Sequence, residues 1–194
     1  MKKWDEAIQT CTELLNLKAR INSSADIPTP EEKVIRAILG GSLQNFRDAR
    51  ASDEKIALDS SRRTLTRARQ LLDKLKSSTK SEVWLYEVSA RFNEEMGLTE
   101  NFYEDLMKEY RTLQTVKGWE DDPVSIYKMT SLVEEIYAFH KATGIKEGLV
   151  KCKLLINGIA KKIRCANCDS EPPKEIAVLN ALLSDLDNSM GIFN

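Results

Sequence analysis

The chain has 194 residues, 42% apolar and 30% charged, with 8 glycines and 5 prolines. That length and balance fit one folded domain and exclude a disordered tail, a collagen and a disulfide-stapled miniature. With 29 basic residues against 30 acidic ones the formal net charge is −1, so the chain as a whole is no polyelectrolyte built for nucleic acid or an anionic membrane, and any such function must be local.

The first helix expected in chain order covers 3–20, with Trp4, Ala7, Cys11 and Leu14 on one face. A second, over 30–48, is announced by Thr29-Pro30-Glu31-Glu32, in which a hydroxyl can accept early backbone N–H groups and a proline stands where no donor is needed. Within it, Gly40-Gly41 costs about 1 kcal/mol per glycine in helix propensity, and a bend or break is expected there. Helices over 53–77 (Leu58, Leu65, Leu72), 80–96 (Leu85, Val88, Phe92, Met96) and 99–116 (Phe102, Leu106, Tyr110, Leu113) follow from apolar residues three and four apart. Asp122-Pro123 opens a sixth over 122–142, which carries Ile126, Met129, Val133 and Ile136. The seventh, 145–166, has the longest stripe: Ile145, Leu149, Cys152, Ile156, Ile159 and Ile163. Ser170 and the prolines at 172 and 173 precede the eighth, 172–189, with Ile176, Leu179, Leu183, Leu186 and Met190. Gly97, Gly118 and Gly144 stand where helices should stop. No comparable stretch alternates with period two.

Short connections between these segments should make sequence neighbours pack as antiparallel hairpins, with 22–29 and 166–173 as the joints. The expected fold is all-α: a right-handed superhelical stack of helical hairpins, tetratricopeptide-repeat-like, with a carboxy-terminal capping helix, and with residues 1–194 as a single repeat-like domain. Trp4, Ala7, Cys11 and Leu14 have the aromatic, small and apolar spacing of a second repeat helix. Trp84, Val88, Gly97, Tyr103, Leu106, Tyr110 and Leu113 make a degenerate whole repeat, in which Val88 replaces the usual glycine and no proline closes the second helix. The opening Trp4-Asp-Glu-Ala-Ile through Leu14-Leu15-Asn-Leu17, then Glu82-Val-Trp-Leu-Tyr86, then Gly118-Trp-Glu-Asp-Asp-Pro123 resemble the carboxy-terminal part of the tetratricopeptide repeat protein 27 family. The resemblance implies a carboxy-terminal piece of a larger, non-enzymatic helical protein whose first helix has lost its partner. It also implies a role in chaperone-linked assembly of large complexes, including a spliceosomal particle, and in fungi in cell-wall integrity. The family has no catalytic residues to carry over.

The residues offer little for chemistry. Cys165-Ala-Asn-Cys168 puts two thiols at metal-sharing or redox spacing, but structural zinc wants four ligands, and only Cys152 and His140 remain to supply them. No second cysteine pair exists, and the motif closes a helix where a redox pair opens one. His140 is the only histidine and continues the apolar edge of the sixth helix, so it is expected to be packed. Asp121-Asp122 and Glu134-Glu135 read as capping groups and solvated faces, and no phosphate-cradling glycine loop occurs. No enzyme activity, metal or cofactor is expected.

Charge is more informative. Lys55, Arg62, Arg69 and Lys76 recur every seven residues beside Leu58, Leu65 and Leu72, and so form a basic ladder along one edge of the third helix. Either its heads reach water and acidic neighbours such as Glu94, Glu95, Glu104 and Asp105, or the ladder is a docking edge for an acidic protein segment or, less favoured, for RNA phosphates. The helix lacks interleaved aromatics that would stack single-stranded bases. The function expected is a non-catalytic protein-interaction scaffold or adaptor in complex assembly, with other proteins as partners and an RNA- or ribonucleoprotein-binding module as the alternative. No membrane insertion is expected, since no run of 18 apolar residues occurs. Lys2 and Lys3 lack the apolar segment of a secretion signal behind them, and four cysteines are too few for a stapled secreted scaffold. The expected location is the cytoplasm, with the nucleus as a second site.

Overall fold

The computed structural model describes residues 2–20, 31–52, 54–78, 82–167 and 171–191. They form eight α-helices and no strand: α1 (Lys2–Arg20), α2 (Glu32–Ala51), α3 (Lys55–Ser78), α4 (Val83–Glu95), α5 (Thr99–Gln114), α6 (Pro123–Thr143), α7 (Lys146–Ala166) and α8 (Glu175–Gly191). The all-helical fold expected from the 3.6-residue periodicity is present. The packing divides into two compact units, Met1–Phe102 and Tyr103–Asn194, with the boundary inside α5. No helix among the described residues is long and apolar enough to cross a membrane.

The apolar stripes decide which helix faces turn inward. In the first unit, Ile8 and Cys11 of α1, Ile35, Leu39 and Phe46 of α2, Leu65, Leu71, Leu72 and Leu75 of α3, and Leu85 and Phe92 of α4 form one buried cluster. Pairs between helices fix their directions. Asp5 receives hydrogen bonds from Thr64 and Arg67, and Asn16 from Lys74, so α1 and α3 run parallel. Arg36 stacks over Trp84 and Arg47 binds Glu95, so α2 and α4 run parallel too. Arg69 pairs with Asn93 and Lys76 with Ser89, which sets α3 antiparallel to α4.

Gly40-Gly41 corrects the expected break, because α2 runs through both without interruption. Burial of Ile38, Leu39, Leu43 and Phe46 on either side outweighs two glycine propensities. Gly41 is needed for another reason: a Cβ there would lie 2.5 Å from the Trp4 ring, so the missing side chain lets α1 lie against the α2 backbone.

In the second unit, the turn at Gly144 (φ 66°) and Ile145 reverses the chain between α6 and α7. Lys153 pairs with Asp187 and Arg164 with Asn180, so α7 and α8 are antiparallel. Met129, Val133 and Ile136 of α6, Leu149, Ile156, Ile159 and Ile163 of α7, and Leu179 and Leu186 of α8 are buried. Asp122 caps α6 by accepting from the Ser125 backbone N–H at 2.9 Å, with Pro123 in the first turn as expected. Gly97, Gly118 and Gly144 all have positive φ. Two other boundaries differ from expectation. Glu31 takes the N-cap position of α2 without a side-chain bond, and Thr29, Pro30, the 22–29 joint and Ser170 lie outside the described residues. The last helix begins at Glu175 rather than 172, because a residue followed by proline is pushed out of the helical region, and both Glu171 and Pro172 are so placed.

Candidate functional site

The basic ladder splits in two. Lys55 and Arg62 are exposed, and neither side chain has a hydrogen-bond or ion-pair partner among the described residues; the same holds for Arg63 beside them. Arg69 is different: its side chain is 17% exposed, it donates to Asn93 Oδ1, and its Nε lies 3.8 Å from Asp73. Lys76 donates to Ser89 Oγ at 3.0 Å and sits 5.4 Å from the Tyr86 ring centre. Asn93 and Ser89 are fully buried, so the two lower rungs each place a charged donor on a buried polar side chain of α4.

A four-rung docking edge is therefore not continuous, and the reason is geometric. An α-helix drifts about 20° per heptad against a strict seven-residue repeat, so Lys55 and Lys76 point about 60° apart. The acidic neighbours also differ from those expected. Glu95 is held by Arg47 at 2.6 Å and Arg50 at 2.9 Å, both from α2. What remains of the ladder is the amino-terminal half of α3, which carries exposed Lys55, Arg62 and Arg63, an 86%-exposed Ile56 and, as its one carboxylate, Asp59.

Among the described residues the cysteines do not assemble into a centre. Cys165 is exposed, Cys168 lies outside the described residues, and burial pushes the Cys152 thiol up to about 11, away from the thiolate that a metal would need. Among the described residues no three His, Cys, Asp or Glu side chains stand close enough to hold a metal ion. His140 is 6% exposed, and neither ring nitrogen has a hydrogen-bond partner. Its ring meets Tyr103 edge-on at 4.9 Å and Phe139 at 5.4 Å. Burial first, and the Lys151 charge second, lower its pKa below the usual histidine value. It is a neutral core histidine.

Sequence reasoning missed one concave surface. Tyr103, Lys108 and Arg111 of α5 and Lys151 of α7 line an open groove of about 570 Å³. These residues carry no local motif and are some forty positions apart in the chain, so only the folded α5 and α7 bring them together. Compared with protein-family models, with curated proteins and with solved structures, the chain matches none.

Proposed function

We propose that the chain is a non-catalytic helical scaffold that docks an acidic protein segment on the amino-terminal half of α3. The observation that carries this reading is that Lys55, Arg62 and Arg63, without partners among the described residues, share the amino-terminal half of α3 with exposed Ile56. Cations without internal partners keep their charge available for complementary recognition, and an exposed apolar side chain among them gives a partner something to bury. The arrangement of the first unit supports a scaffold: sequence neighbours α3 and α4 are antiparallel, while α1 with α3 and α2 with α4 are parallel. Stacked helical hairpins give that alternation, and it accords with a tetratricopeptide-like superhelix and with the resemblance to the tetratricopeptide repeat protein 27 family. On this reading the chain acts in the assembly of larger complexes, in the cytoplasm and the nucleus.

Fluorescence anisotropy with a labelled glutamate-rich helical peptide, beside a generic RNA oligonucleotide, tests the proposal. The peptide should bind, and Arg62→Glu with Arg63→Glu should abolish its binding while the melting temperature stays put. RNA binding that falls steeply with salt and vanishes in the same variant would move the assignment to the ribonucleoprotein reading.

A further inference from the structure

We infer that the groove between α5 and α7 is a binding site for a phosphate-bearing group, formed by Arg111, Lys108, Lys151 and the Tyr103 hydroxyl. Three cations face about 570 Å³ of open space, and Glu104 is the only carboxylate on its lining. Glu104 lies 3.7 Å from Lys108, and Lys151 is held at 2.9 Å by Glu147, which does not line the groove. Arg111 is exposed and has no acidic partner among the described residues. An unpaired guanidinium presents a planar fork of donors that matches two oxygens of a phosphate, which a lone ammonium cannot do.

The groove has a fixed floor. Tyr103 stacks on Phe139 at 4.8 Å and meets the buried His140 ring edge-on at 4.9 Å. Burial raises the Tyr103 hydroxyl above its ordinary pKa, with the Cys152 thiol adding to the rise and the Lys151 and Arg111 charges opposing it. It therefore stays an O–H at neutral pH, with no acceptor among the described residues. A dianionic phosphate would meet one fork, two ammonium groups and one hydroxyl, all donors. Its two charges would compete with Glu104 and Glu147 for the two ammonium groups, while the Arg111 fork has no carboxylate to give up. The groove lies within the second unit and is independent of the α3 edge.

Isothermal titration of the full chain tests the site with three probes: inorganic pyrophosphate, a phosphoserine heptapeptide, and the same peptide unphosphorylated, each against sodium chloride of equal ionic strength. The two phosphate probes should bind saturably and the unphosphorylated peptide should not. Arg111→Ala should weaken binding by about tenfold or more, the worth of a charge-assisted pair, and Arg111→Lys should restore only part of it. Arg62→Glu, on the other unit, should change nothing, which separates this site from the α3 edge. Pyrophosphate binding as tightly as the peptide would assign the site to a free phosphate compound, and a peptide preference beyond tenfold would assign it to a phosphorylated chain. Heats no larger than those of chloride, or binding that survives Arg111→Ala combined with Lys151→Ala, would overturn the inference.

Discussion

His140 is the chain's only histidine, so stability between pH 5 and 7 reports largely on this one ring. Its folded pKa is lowered from 6.5 by burial, so the unfolded chain binds the extra proton first. Stability is then full above pH 6.5, declines as pH falls through 6.5 towards the lower folded value, and levels off beneath it. Urea melts at pH 7.5 and 5.5 should show this loss, and His140→Leu, which cannot titrate, should remove it. A pH-independent wild type would mean that the ring finds a partner when protonated. Gly148 sets the same environment from the other side, since a Cβ there would run into the His140 ring. Gly148→Ala should cost about 1–3 kcal/mol as overpacking.

Helix number, type and inward faces were legible because apolar spacing records which side of a helix is buried, and Ile156, Ile159 and Ile163 or Met129, Val133 and Ile136 are buried as their spacing requires. What the sequence concealed depends on the neighbour that each residue meets. Gly40 and Gly41 look equivalent in the chain, yet a Cβ at 40 meets nothing within 4 Å and one at 41 meets the Trp4 ring. Gly40→Ala should therefore raise stability by about 0.5–1 kcal/mol through helix propensity, and Gly41→Ala should lower it; thermal melts giving both the same sign would contradict this packing. The ladder follows the same logic. Seven-residue spacing put four cations near one edge but could not say that α4 covers only its carboxy-terminal half. Arg69→Ala or Lys76→Ala removes a charged hydrogen bond to buried Asn93 or Ser89 and should cost about 1.5–3 kcal/mol. Lys55→Ala and Arg62→Ala should stay within about 0.5 kcal/mol of the parent. Denaturant titration of the four variants tests that division.

For the whole molecule, composition and periodicity reached the helical class, and the boundary between the two compact units falls inside α5, through which one continuous helical pattern runs. Composition and periodicity missed the α5–α7 groove, since four residues without a shared motif become a site only when two distant helices meet. The near-neutral total charge hides two local basic surfaces, one on each unit. The central claim concerns the first of them: the exposed half of α3 holds a protein partner. Its most direct test is quantitative affinity purification of the full chain and of the Arg62→Glu, Arg63→Glu variant from ribonuclease-treated extract, read by mass spectrometry. The full chain should capture a defined partner set that survives nuclease, is rich in acidic segments and is lost with the variant, whose melting temperature is unchanged. An unchanged partner set on the folded variant, or a set that disappears with nuclease alone, would contradict it.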